Sequence, residues 1–470
     1  MIGAFTFIGL IATDKLGHVL ITMLNVYFQN LDNESPKTKF AMPIISPQEF
    51  ETAESFGVGT VEHFTWKQLM DGDACTRCGR CQDNCPAYLT EKPLSPKKIV
   101  NDVKAAMDDR IPKLLVAQDP ASVESRALIG EYVLEDEIWS CTNCAACMEN
   151  CPVQIEHVPK INDMRRYQVL MEGKMAPELQ TSFSNMENNS NPYGFAFAAR
   201  GDWVTEDLGV KTLAEDPDVD FLYYVGCAAS YDKRNQKVAI ALCKILKAAG
   251  YKVGILGAEE ACCGDSAMRA GNEYLFHSLA AQNLETFKNY GVKKIITTCP
   301  HGYNMLKKEY PKFAKVGVDS SGNPLEANYE VYHHTEVIMD LIKLGKIRLS
   351  KPLNETITYH DSCFLGRYNE IYDQPRNIIK AIPGTNFVEM SRNHERSFCC
   401  GAGGARMWIE EHLGTRINQF RTKDAQATGA TKIGTACPFC LTMLSDGANE
   451  LDIQNLQTFD LAEYVWEAME

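Results

Sequence analysis

Eight cysteines stand in two identical strings. Cys75, Cys78, Cys81 and Cys85 precede Pro86, and Cys141, Cys144, Cys147 and Cys151 precede Pro152, so each string reads C-x2-C-x2-C-x3-C-P. Two intervening residues per step wrap three sulfurs around one corner of a cube. The run predicts two [4Fe-4S] cubanes in which the fourth thiolate reaches across to the other cluster. The ligand sets this implies are Cys75, Cys78 and Cys81 with Cys151, and Cys141, Cys144 and Cys147 with Cys85. Structural zinc takes its ligands as two pairs, and a third cysteine at the same short interval is surplus to it. Electron transfer is the expected chemistry, and a unit cross-tied through metal should not fold without iron and sulfide.

A second cysteine pattern follows. Cys227, the pair Cys262-Cys263 with Gly264, and Cys299-Pro300 form one frame; Cys363, the pair Cys399-Cys400 with Gly401, and Cys437-Pro438-Phe439-Cys440 form another at nearly the same internal spacing. Two related domains are expected. Cys437-x-x-Cys440 alone also fits a redox dithiol, but at repeat spacing with its companions it reads as part of a larger site. His360, Asp361, His394 and Arg406 stand beside these cysteines as proton donors or as local hydrogen-bonding groups. The glycines Gly401, Gly403 and Gly404 follow a cysteine pair instead of a first strand, so they are read as admitting backbone amides to cluster sulfides, not as a nucleotide loop. Cys243, in mid-helix, reads as a core thiol.

These side chains need elements to hold them. Strands are expected over 220–225, 252–256 and 294–298, alternating with helices over 236–249 and 273–290. The second copy repeats this with strands over 356–360, 386–390 and 432–435 and helices near 376–381, after Arg406 and over 441–450. Such alternation predicts parallel sheets with ligands beyond the carboxyl ends of the strands, where Cys227, Cys299, Cys363 and Cys437 fall. Between the strings, Ser95-Pro96 opens a helix through Ile99, Val103 and Met107.

Composition bounds the rest. The 470 residues carry 18 cysteines and a formal net charge of -14. With no dense basic run, nucleic acid is excluded as a partner. Cluster cysteines without a cleavable leader imply a reducing, cytoplasmic setting. Residues 1–13 are almost wholly apolar, Asp14 and Lys15 interrupt, and 16–28 are largely apolar again. Neither half reaches the roughly 20 residues that span a bilayer. The segment reads either as a buried amphipathic leader or as a surface that docks on membrane or on a membrane subunit.

The Cys-Cys-Gly frame resembles the CCG domain of the heterodisulfide reductase catalytic-subunit family. YVGCAASYD (224–232), TTCPHGYNMLKKEYP (297–311), YHDSCFLGRYN (359–369) and FCCGAGGARMW (398–408) carry the resemblance. The order of two cysteine strings and then two frames is most similar to the membrane-linked members placed between electron-transfer flavoprotein and quinone. The resemblance implies a noncubane [4Fe-4S] cluster, the catalytic group, on Cys363, Cys399, Cys400, Cys437 and Cys440. In the first copy Gly302 takes the last ligand position, leaving Cys227, Cys262, Cys263 and Cys299 with His301 beside the gap, and a further cluster there is left open. The segment DKLGHVLITMLNVYF is similar to the junction at which larger members leave a cytochrome b-like membrane domain; haem, if it takes part, comes with a separate subunit.

The expected fold is therefore α+β and multidomain: a helical, bacterial ferredoxin-like two-cluster module followed by two repeated α/β CCG domains. Its parts are an apolar segment (1–30), a linker (31–65), the two-cluster domain (66–184), a linker (185–218), and CCG domains over 219–350 and 351–470. The expected function is an iron-sulfur oxidoreductase subunit that links a flavoprotein or dehydrogenase to membrane quinone through a cytochrome b-like subunit. It would be cytoplasmic and peripheral on the inner face of the cell membrane. Thiol-disulfide reduction and a non-catalytic electron relay are the alternatives.

Overall fold

A computed structural model describes residues 17–29, 40, 42–119 and 122–469. Most of the segments 1–30 and 31–41 read above as a leader and part of a linker thus lie outside the described residues.

The second half of the chain builds two parallel sheets. The first contains β1 (Lys211–Thr212), β2 (Phe221–Tyr223), β3 (Val253–Ile255), β4 (Lys294–Thr297) and β5 (Glu330–His333), in the order β1-β3-β2-β4-β5. The second contains β6 (Thr356–Tyr359), β7 (Asn386–Phe387), β8 (Lys432–Thr435) and β9 (Gln457–Asp460), in the order β7-β6-β8-β9. Matching β2 to β6, β3 to β7, β4 to β8 and β5 to β9 superposes the two topologies, with β1 an extra edge in the first. Helices such as Lys233–Ala248 and Glu273–Asn289 make the crossovers that parallel neighbours require. Both copies finish alike. The N–H of His333 donates to Glu336 and that of Asp460 to Glu463, each at 2.9 Å, so each last strand turns into a helix on a reciprocal cap. His334 Nε2 and Asp460 Oδ1, 3.0 Å apart and buried, join the two copies at these ends.

The cysteine strings lie in a helical region. Helices Trp66–Ala74, Pro96–Val116, Glu135–Trp139 and His157–Arg166 surround the loops, and Ser95 caps the second of them by accepting from Lys98 N–H at 3.2 Å, as its sequence foretold. The two strings share a backbone. Arg77 and Asn143 hold corresponding left-handed positions (φ +54° and +51°), as do Gly79 and Ala145 (+86° and +58°). A non-glycine residue at positive φ costs about 1–2 kcal/mol, and here the left-handed positions precede the buried Cys81, Cys144 and Cys147 and the exposed Cys78.

Two segments expected as linkers are ordered elements. The segment 185–218, expected as a linker, is helical up to Asn189, because Leu179, Ser182, Phe183 and Met186 bury one face of helix Pro177–Asn189. The described part of 42–65 is a packed strap containing helix Pro47–Thr52; Lys312 Nζ donates to Met42 O at 2.8 Å. At the other end, helix Gly17–Tyr27 anchors by Asn25 Nδ2 donating to Val153 O (3.0 Å) and Thr22 Oγ1 to Ala74 O (3.2 Å). Its outer face leaves Met23 62% and Tyr27 78% exposed. No helix among the described residues is long and apolar enough to cross a membrane.

Candidate iron-sulfur centres

The carboxyl ends of the strands deliver the cysteines of both frames. Cys227 opens the helix after β2, Cys299 caps Pro300–Asn304 after β4, and Cys437 caps Pro438–Glu450 after β8 with Cys440 in its first turn. Cys363 follows β6, and the two cysteine pairs sit in loops beyond β3 and β7. All eighteen thiols are free.

All the thiols but Cys243 gather in four groups. Cys81 lies among Cys151, Cys75 and Cys78, so the last cysteine of the second string joins the first three of the first string. Cys85 reciprocally lies by Cys144 and Cys141, and Cys147 lies by Cys141, Cys85 and Cys144. Cys227 meets Cys262, which meets Cys263, with Cys299 beside that pair. In the second copy Cys399 meets Cys363 and Cys400, while Cys440 Sγ donates to Cys400 Sγ at 3.4 Å and lies by Cys437.

These groups also feel one another electrostatically, and two of them are in contact. Cys147 neighbours Cys81, Cys144 meets Cys399, and Cys437 neighbours Cys299. The groups thus follow one another from the exposed Cys78 through the buried thiols of the second string and the second frame to the half-buried thiols of the first frame. Beside that frame a cavity opens between Cys227, Cys262, Cys263 and Cys299 on one wall and Trp408 and Phe439 of the second copy on the other.

The donor sets fit iron-sulfur clusters. Backbone N–H groups already aim at sulfur: Asn143 at Cys141 (3.4 Å), Ile155 at Cys151 (3.3 Å) and Gly401 at Cys399 (3.3 Å). Buried cations stand ready to balance thiolate charge. Arg200 Nη2 is 3.6 Å from Cys227 Sγ, Arg165 neighbours Cys141, and Arg367 faces Cys144, Cys363 and Cys399. Arg367 Nη2 is buried without a hydrogen-bond partner. A buried cationic N–H left unpaired among thiols is what a charged cluster would satisfy.

Local electrostatics differ among the thiols. Burial pushes the Cys81 thiol up to about 12. Hydrogen bonds from Cys399 and Cys440 draw Cys400 down to about 5. Cys437 is drawn down to about 7, against burial, by the neighbouring Cys440 and by the charge of His301. His301 itself stacks on Phe364 with ring centroids 4.1 Å apart, its Nδ1 2.7 Å from Asp265 Oδ2. Burial works to lower its pKa, but the Asp265 carboxylate prevails and raises it.

Among the polar groups singled out from sequence, Asp361 is unsuited to giving protons. Both its oxygens accept from Arg376 (2.7 and 2.8 Å) and one also from His394 N–H, and these contacts overcome burial and hold its carboxyl below the usual range. Arg406 donates to Trp139 O. Cys243 is a core thiol, as read. The glycine run divides. Gly401 does bring its amide to sulfur, but Gly403 and Gly404 serve backbone packing: an added Cβ would lie 2.4 Å from Thr142 O or 2.6 Å from Cys141 O. Arg165, Arg200, Arg367 and Asp265 carry no sequence signal at all, since only long-range packing brings them to the cysteines.

The comparisons agree with this division of the chain. The 4Fe-4S dicluster domain family matches residues 71–155, and the cysteine-rich domain family CCG matches 221–307 and 357–445. The EtfAB:quinone oxidoreductase of Syntrophomonas wolfei is 46% identical over 99% of this chain, which spans 67% of that protein. A component of the dihydromethanophenazine:CoB–CoM heterodisulfide reductase of Methanosarcina barkeri is 33% identical over 87% of this chain and is covered over 96% of its own length. With its dicluster region, its two CCG regions and these relatives, the chain belongs to the iron-sulfur oxidoreductases of the heterodisulfide reductase and EtfAB:quinone oxidoreductase family.

Proposed function

We propose that the chain conducts electrons between its surface and the CCG pair, through cubane clusters on the two crossed cysteine groups and a noncubane cluster on Cys363, Cys399, Cys400, Cys437 and Cys440. The observation that carries this reading is the contact of Cys144 in the second string with Cys399 in the second frame. The division into a ferredoxin-like domain (66–184) and CCG domains (219–350 and 351–470) is part of the same reading.

Bound there, iron-sulfur clusters supply one-electron steps at potentials the protein can set. The chain's own residues do the rest. The cysteines fix the positions, and burial of the second string and of the second frame excludes water there. Arg165, Arg200 and Arg367 offset the negative charge. The donor is a flavoprotein or dehydrogenase meeting the exposed Cys78 end, and the acceptor side is membrane quinone reached through a cytochrome b-like subunit. The relative named for quinone and the apolar outer face of Gly17–Tyr27 support that assignment and a position on the inner face of the cell membrane. Reduction of a disulfide is the second reading, favoured by the similarity to the heterodisulfide reductase component and by the cavity beside the first frame.

The test is iron and acid-labile sulfide per chain on anaerobically purified protein, with low-temperature EPR after mild oxidation. Ligand counting gives about 12 iron atoms with a radical-like oxidised signal foreign to cubanes, and about 16 if the first frame is also filled. About 8 without that signal would leave two cubanes and refute the noncubane centre. Quinol oxidation by the chain with its membrane partner, absent with disulfides, separates the two readings.

A further inference from the structure

We propose that His360 is a hydrogen-bond donor to the sulfurs of Cys400 and Cys440, locked in one tautomer by Arg421, and that it raises the reduction potential of the group those cysteines hold. The inference rests on the reading that the second frame binds a cluster.

A ring nitrogen of His360 and the sulfurs of Cys400 and Cys440 lie within 4.8 Å of one another, all three residues buried. By composition this is a metal site with a histidine ligand. The hydrogen bonding assigns the histidine a different part. Arg421 Nε stands 3.0 Å from His360 Nδ1. A guanidinium only donates, so Nδ1 accepts, and in the neutral ring the proton sits on Nε2. Nε2 then has no lone pair for iron and presents an N–H instead. Arg421 does not turn away from this contact. It is fully buried, and its Nη1 donates to Arg392 O at 2.9 Å and to Asp424 Oδ2 at 3.2 Å. The arrangement completes a pattern, since Cys399 already receives the Gly401 N–H. Donation to a cluster thiolate withdraws electron density from sulfur and favours the reduced form.

EPR-monitored redox titration of the anaerobic full chain tests this in wild type, His360→Phe and His360→Gln. In the Phe variant the midpoint of the second-frame signal should fall. In the Gln variant, whose side-chain amide reaches the same place, it should return most of the way. The cubane midpoints should stay fixed in both. A second-frame midpoint unmoved by Phe overturns the proposal. Should the Phe variant fail to assemble, electron-nuclear double resonance on wild type with 15N-labelled histidine decides the matter. A weak nitrogen coupling with an exchangeable proton coupling supports donation, whereas a coupling of directly bonded size makes His360 a ligand and overturns it. Wild type with about 8 iron atoms and no second-frame signal is a distinct outcome: it removes the cluster itself, and the proposal with it.

Discussion

Arg367 Nε donates to the carbonyl oxygen of Cys144 at 2.7 Å, across 223 residues of sequence. Its Nη1 donates to the carbonyl and hydroxyl of Ser397 at 2.9 and 3.0 Å, and the side chain is only 1% exposed. One guanidinium thus pins the second cysteine string to the loop before the Cys399 pair, with Cys144, Cys363 and Cys399 around its charge.

Arg367→Met should therefore leave buried carbonyls without donors and cost on the order of 3 kcal/mol, since each orphaned buried group costs about 1–3 kcal/mol. Anaerobic urea denaturation measures this. Rapid-mixing reduction should also show slower filling of the second-frame signal than in wild type while the cubanes fill normally. An unchanged denaturation midpoint would dismiss the pinning role.

Gly404→Ala tests the contact between the two loops. Gly404 (φ +63°) and Gly429 (φ +74°) share the left-handed conformation, but an added Cβ meets Cys141 O at 2.6 Å in the first and nothing within 4 Å in the second. Gly429→Ala should cost only the conformational strain of about 1–2 kcal/mol. Gly404→Ala should additionally push the loops apart and lower iron per chain. Equal iron content and equal stability in the two variants would contradict the packing argument.

Cys440→Ala should remove about 4 iron atoms per chain and the radical-like EPR signal while the cubane signals persist. A dithiol enzyme behaves differently: its activity would survive in wild-type protein stripped of metal. Thiol-disulfide turnover in iron-free chain would therefore count against the cluster reading.

His157 gives the two-cluster region an acid sensitivity. Its pKa is lowered to about 4 by burial, with the nearby charge of Lys160 contributing. An unfolded histidine titrates near 6.5, so below that pH the unfolded chain binds a proton that the native chain refuses. Stability is then complete above about pH 6.5 and falls as pH drops toward 4, by about 1 kcal/mol at pH 5.5. Denaturation midpoints compared at pH 7.5 and 5.5 should show this slope in wild type and a smaller one in His157→Gln. Equal slopes would mean that other groups carry the acid response.

Much of the chemistry was legible in the sequence because it is local. Three thiols at intervals of two residues converge by loop geometry alone, and a strand that ends at a cysteine delivers it to the ligand side of a parallel sheet. The buried strands β2 and β4 announce themselves as apolar runs. Their partners β5 and β9 do not: both alternate exposed and buried positions over four residues, and each carries too little apolar content to stand out. Composition also hides the end of helix Pro177–Asn189, where Asn and Ser stand on the outer face while Leu179, Phe183 and Met186 form the core side.

The sequence by itself determined which atoms are offered to iron, and the repeat that offers them twice in the second half of the chain. Only the tertiary structure decided that Cys144 meets Cys399, that three buried arginines face the thiols, and that Arg421 takes one nitrogen of His360 and leaves an N–H on the other. The reason is physical: spacing along the chain fixes geometry over a few residues. A contact between groups hundreds of residues apart, by contrast, depends on how whole sheets and helices bury their faces against one another, and no local pattern records that packing.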